Sequence, residues 1–214
     1  MIPTKLLAFR DETRRTFIPK YYSGVGQVVF ITVVSLSVIG WSAASIRSPA
    51  LWELGVAIPT FLFANGVEYV MHRWPMHHKW GGLFFQRHTL IHHRFYTHEH
   101  MRCESTRDFK TVMFPPYALV FFLGMIAAPV AVALYFAISS NVGLVFGAVA
   151  MSYFLSYEWL HLAYHLDPDG PLGRIPGLAV LRRHHTLHHN PTEMKRANFN
   201  ITFPVFDWIA GTTR

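Results

Sequence analysis

Four long apolar runs dominate the chain: about Ser23 to Ile46, Ala50 to Met71, Pro115 to Ile138 and Val142 to Tyr164. Each reaches the roughly 20 residues that a helix needs to cross about 30 Å of hydrocarbon, so the pattern predicts four transmembrane helices. Arg47, Ser48 and Pro49 divide the first pair, and Ser139, Ser140 and Asn141 divide the second. Breaks this short admit only tight turns, which predicts two helical hairpins. Pro129 falls inside the third run, where it removes a backbone hydrogen bond and predicts a kink. Polar positions gather in a basic N-terminal segment (1–22), in a central loop (72–110) and after residue 166. The expected fold is therefore all-α: a single membrane domain over 23–214, with the polar segments forming a helical cap on one face.

Composition agrees with this reading. Hydrophobic residues make up 51% of the chain and charged residues 14%, against about 25% charged in an ordinary soluble domain. The net charge of +7 does not point to nucleic acid, because the basic residues flank the apolar runs. Of the 19 Lys and Arg residues, 18 lie in the three polar segments and only Arg47 lies between spans on the other side. Basic residues concentrate in cytoplasmic loops, so both termini and the central loop are expected in the cytosol. A bacterial inner membrane and an endoplasmic reticulum fit equally. Lys5, Arg10, Arg14, Arg15 and Lys20 leave no apolar core for a cleavable signal peptide. The first segment reads either as a basic amphipathic helix on the membrane surface or as a loose cytosolic tail. The single cysteine, Cys103, excludes a disulfide framework and a cysteine-based zinc site. Gly24-Val25-Gly26 lacks the third glycine of a dinucleotide fingerprint and opens an apolar span.

The chemistry lies in the 14 histidines, which fall in two stretches, 72–100 and 161–189. Four clusters stand out: His72-x4-His77, with His78 beside it; His88-x3-His92-His93; His161-x3-His165; and His185-x2-His188-His189, preceded by His184. On a helix, positions i, i+3 and i+4 share a face. His185, His188 and His189 can thus converge on one metal ion or straddle two, and His161 and His165 form a similar pair. His88 and His92 share a face, whereas His93 points around the helix. Pro75 should end the second span near His72 and turn the chain so that His77, or alternatively His78, comes back. His98, His100 and His184 fall outside this spacing; the first two read as solvated loop or supporting residues.

A lone histidine is more often a core or surface residue than a ligand. Ten in four clusters, all expected on one membrane face, point to metal. One zinc takes about four ligands, so ten imidazoles imply two ions. Imidazole suits iron, copper, nickel and zinc, so ligand type alone does not choose among them. Glu68 lies four residues before His72, and Glu158 three before His161. Metal-bound imidazoles commonly donate their other N–H to a carboxylate or carbonyl, so both glutamates are candidates to orient histidines. Snorkelling or helix capping is the alternative for each. Glu158-x2-His161 also matches half of a soluble di-iron bundle site, but the second such motif is absent.

In these residues the chain resembles the fatty acid hydroxylase/sterol desaturase superfamily of integral-membrane oxygenases. The resemblance runs over roughly 60–212 and is carried by the four histidine clusters. It also takes in Arg107-Asp108-Phe109-Lys110 leading to Pro115-Pro116, and the ending from Asn198 to Asp207 with Gly211-Thr212. One departure is the extra residue in His88-x3-His92-His93, where the superfamily's usual box is His-x2-His-His; this makes His88 the least secure ligand.

The resemblance implies a pair of iron ions held by His72, His77, His88, His92, His93, His161, His165, His185, His188 and His189, with zinc as a substitute in purified material. It implies O2-dependent hydroxylation or desaturation of a membrane lipid, a fatty acyl chain first and a sterol or carotenoid second. Electrons would come from an external donor such as cytochrome b5, ferredoxin or a reductase, since the chain has no motif for its own. Two other classes compete: a zinc-dependent membrane hydrolase, and a metal transporter or metal-binding membrane protein. A transporter should carry its ligands near the bilayer midplane, whereas these lie at one face.

Overall fold

The computed structural model describes residues 2–214. Among them the fold is helical, and no β-strand forms beyond one isolated bridge between Thr97 and His100. The helices are α1 (Thr4–Thr16), α2 (Gly24–Ser45), α3 (Leu51–Arg73), α4 (83–95), α5 (116–137), α6 (Ser140–Tyr164), α7 (Leu178–His188) and α8 (Val205–Ile209). Four helical stretches are long and apolar enough to span a membrane: Gly24–Ser45, Leu51–Arg73, Thr106–Ala137 and Ser140–Tyr164. These are the four expected spans, displaced by a few residues at most ends. The third also takes in a 3-10 turn over Thr106–Thr111.

Proline explains two irregularities. α3 is interrupted at Val56, where Pro59 has no N–H to give to the carbonyl four residues back. In α5 a π turn over Leu123–Ala127 precedes Pro129, so the helix widens where the proline removes a bond.

The chain divides into two compact units: residues up to Gly24 with Asn65–Met113 and Trp159–Arg214, and Val25–Ala64 with Phe114–Glu158. In the second unit the two interspan breaks are joined. Asn141 accepts from the Arg47 N–H and donates to the Arg47 carbonyl, both at 3.0 Å, and donates to Glu53 at 2.9 Å. Ser139 also donates to Glu53. α5 and α6 approach closely at Gly143, where a Cβ would stand 2.4 Å from the Ala131 carbonyl. Small residues permit such contact between helices in a membrane. α6 is the most enclosed span, with 56% of its apolar window buried against 17, 22 and 11% in the others.

The first unit holds every histidine. α1 docks there through two arginines. Arg10 is 1% exposed and bonds Phe95, His100 and Glu104; Arg14 bonds Glu104 and Asp108.

Candidate metal centre

Each histidine is delivered by a different local device. α3 carries His72 in its last turn, and Pro75 stops the helix there. The chain then folds over Trp74, whose carbonyl accepts from His77 N–H at 3.2 Å and His78 N–H at 3.0 Å. Gly81 is needed in this turn, because a Cβ would lie 1.8 Å from the Pro75 carbonyl. The turn sends His77 inward, fully buried, while His78 faces outward beside Trp80.

α4 is a π-helix over Gln86–His92. This changes the face expected from α-helical spacing. Bonds in a π-helix run from i to i+5, so residues five apart align. His88 and His93 therefore point the same way, with ring nitrogens 3.0 Å apart, and His92 points elsewhere. The π turn accommodates the extra residue in this box. α6 ends with His161 and, just past Tyr164, His165. α7 carries His185 and His188, with His189 capping its C-terminus.

Two groups result. His72, His77, His88, His93 and His188 each offer a nitrogen within 4.8 Å of the others. His92, His165, His185 and His189 form the second such group. His161 joins the second through a 3.2 Å approach to His92. All ten are buried. The α7 trio straddles the groups rather than serving one.

The outer nitrogens decide what the inner ones can do. His92 Nδ1 donates to the Thr111 carbonyl (2.9 Å) and His189 Nδ1 to the Tyr96 carbonyl (2.7 Å). His165 Nδ1 donates to the Met101 carbonyl (2.7 Å) and His188 Nδ1 to the Ala197 carbonyl (2.9 Å). His72 Nδ1 donates to the Phe199 carbonyl. Thr89 Oγ1 gives its own proton to the Met76 carbonyl (2.6 Å) and so accepts from His77 Nδ1 at 3.2 Å. A carbonyl cannot donate, so each of these neutral rings carries its proton on Nδ1 and leaves Nε2 bare. Yet the Nε2 atoms face one another: His77 to His188 at 3.0 Å, and His92 to His189 at 3.1 Å. Two bare lone pairs at that distance repel unless a cation lies between them. The donor set fits metal ions, one per group.

Charge state agrees. Burial, reinforced by neighbouring imidazoles, holds His77, His88, His93, His165, His185, His188 and His189 below the ordinary histidine range. Burial brings His92 down to about 3. Neutral imidazole is the form that binds metal.

The sequence of residues 57–212 matches the family model described as Fatty acid hydroxylase. The chain belongs to the fatty acid hydroxylase family. All ten clustered histidines of this hydroxylase lie inside the matched region, whereas α1 and α2 precede it. Its fold is similar to a solved structure titled full-length scs7p, in which only the hydroxylase domain is visible. The TM-score is 0.60 and the identity 17%, over 90% of this chain and 67% of that one. No curated protein matches the sequence. Like its family, this chain is a multi-pass membrane protein.

Of the remaining candidate residues, Glu68, His184 and Asp207 lie in the unit that holds the histidines, and Glu158 lies in the other. Glu68 accepts from Thr202 N–H (3.0 Å), Thr202 Oγ1 (2.7 Å) and Ile201 N–H. It holds the strand of chain whose Phe199 carbonyl receives His72. Glu158 accepts from Phe114 N–H at 3.3 Å. His184 is buried and lies 3.3 Å from Asp207. His98 is exposed and His100 partly so. The backbone carbonyls that fix the rings carry no signal in residue identity, and neither does Arg10. Asp207 lies in the C-terminal segment that carries the family resemblance. It accepts from Phe199 N–H (2.9 Å), Asn200 N–H (2.7 Å) and Thr212 Oγ1 (2.7 Å).

Proposed function

We propose that this hydroxylase is a di-iron oxygenase that inserts one atom of O2 into a C–H bond of a membrane lipid, a fatty acyl chain before a sterol or carotenoid. The second oxygen atom leaves as water, which requires two electrons and two protons per turnover. The electrons come from a separate donor such as cytochrome b5, ferredoxin or a reductase. The observation that carries this reading is the pairing of bare Nε2 atoms in two adjoining buried groups. Bound iron supplies O2 activation; the protein supplies orientation and a water-poor surround.

The ten histidines are the proposed ligands, five to one ion and His92, His161, His165, His185 and His189 to the other. The Nδ1–H bonds to carbonyls keep the rings in the binding tautomer. Glu68 supports His72 through the 199–202 backbone, and Glu158 is proposed to support the α6 histidines. Both termini and the histidine-bearing loops face the cytosol, as the basic residues require. The acyl chain stays in the bilayer, and its binding energy positions the reacting carbon, so truncated soluble analogues should turn over slowly.

The test is lipid profiling in a host with and without the gene, coupled to metal analysis after anaerobic purification. Two irons per chain and a hydroxylated acyl product are expected. Stable zinc with activity indifferent to O2 would instead identify a hydrolase, and a modified sterol or carotenoid would replace the acyl substrate.

A further inference from the structure

Arg10 lies in α1, ahead of the region matched by the family. Its guanidinium is 1% exposed and donates in three directions. Nε reaches the Phe95 carbonyl at 2.9 Å, Nη2 the His100 carbonyl at 2.7 Å and Nη1 Glu104 at 2.8 Å. The two carbonyls stand in a particular register. Phe95 immediately precedes Tyr96, whose carbonyl receives His189 Nδ1; His100 immediately precedes Met101, whose carbonyl receives His165 Nδ1. The same segment returns to His165, because Cys103 N–H donates to the His165 carbonyl at 2.8 Å. The Tyr96 ring lies between the two, its centroid 5.7 Å from the guanidinium and 4.2 Å from the His165 ring. Residues 95–104 thus form an acceptor wall for one group of histidines, and Arg10 pins both ends of it.

His72 and His188 in the other group use acceptors elsewhere. They donate to the Phe199 and Ala197 carbonyls, in a segment held by Asp207 through Phe199 N–H and Asn200 N–H. Arg10 makes no hydrogen bond to that segment.

We infer that Arg10 is a positioning residue for one metal position alone, the one built from His92, His165, His185 and His189, and that Asp207 does the same for the other. The inference rests on the two-metal reading above. It makes α1 part of the site rather than a surface appendage. It also explains why an arginine is used: a planar guanidinium meets three fixed acceptors at once, which a lysine ammonium on a flexible stem does not. Perturbing partners that orient metal-bound imidazoles lowers metal affinity by about 10–100-fold.

The experiment uses the full chain in detergent, loaded with iron without oxygen and dialysed against a ferrous chelator set to spare the wild type. Iron per chain is then measured. The wild type is expected to keep two ions. Arg10→Gln and Asp207→Asn should each keep one, and the double variant none. Arg10→Lys should behave as Arg10→Gln, and Arg15→Gln, which changes a residue paired only with exposed Glu12, as wild type. Loss of both ions or of neither in Arg10→Gln overturns the inference. So does a double variant that still keeps one ion, because both changes then strike the same position. Wild-type behaviour of Arg10→Lys overturns it too, since charge alone would then suffice. Each protein is checked for a monodisperse, helical state. If Arg10→Gln fails that check, Arg10→Lys carries the measurement; if both fail, Arg10 is a folding residue and the inference is wrong. A folded wild type that binds no iron refutes the two-metal reading itself, a different result from any of these.

Discussion

His92 and His189 bring two proton-free ring nitrogens to 3.1 Å from each other, each ring having committed its one proton to a backbone carbonyl on its far side. A cation between them would relieve that repulsion, so bound metal is expected to stabilise the folded chain.

Removing a proposed ligand should cost both metal and turnover. His188→Ala or His165→Ala should abolish product formation and lower iron per chain, whereas exposed His98→Ala should change either by little. Elemental analysis and product assay on the purified variants check this. Full activity in the first two would remove the basis of the assignment.

Acidity should destabilise the metal-free protein. An unfolded histidine titrates near pH ~6.5, but burial holds the folded His92 ring down to about 3. Between these values the unfolded chain binds a proton that the folded chain excludes, so falling pH favours unfolding. Stability is complete above about pH 6.5 and declines below it by roughly 1.4 kcal/mol per pH unit for each such histidine. Thermal melts of chelator-treated protein should show a flat Tm on the alkaline side and a falling one on the acid side. Bound iron should shift that fall to lower pH.

Thr89 sets the proton of His77. Thr89→Val removes the acceptor at His77 Nδ1 and should weaken iron binding by about 10–100-fold, while Thr89→Ser should restore it. Chelator competition on the two variants measures the difference. Equal affinities would mean that the tautomer of His77 is fixed by something else.

The π turn of α4 suggests a deletion. A π turn holds one residue more than an α turn, and Leu90, between His88 and His92, is 41% exposed. Removing Leu90 should return α4 to α-helical bonding and keep both ions. Removing Leu90 and Ile91 together should overshoot the register and lose at least one. Circular dichroism and iron content distinguish these outcomes.

Much of this molecule is legible in its residue order. Spans announce themselves because lipid demands a continuous apolar surface, and the histidine clusters stand out because ligands from one helix repeat at its own period. His93 illustrates where that reasoning stops. Its direction follows from a π turn, which hydropathy does not register, and α-helical spacing assigned it to the wrong face. His77 and His78 are another case, since only the fold of the Trp74 turn separates the buried ring from the exposed one. Arg10 was invisible for a different reason: its partners are mostly backbone oxygens 85 and 90 residues away, and a backbone oxygen has no letter in the sequence.

The division of labour within α7 and α4 has one more consequence. His188 and His189 are neighbours in the chain yet face different groups, and so are His92 and His93. Each junction between the groups is a single peptide unit, whose flanking Cα atoms lie a fixed ~3.8 Å apart. The separation of the two histidine groups is thereby gauged by covalent bonds, twice over, from two separate helices. Breathing of the surrounding protein can tilt that pair, but widening it requires unwinding a helix end.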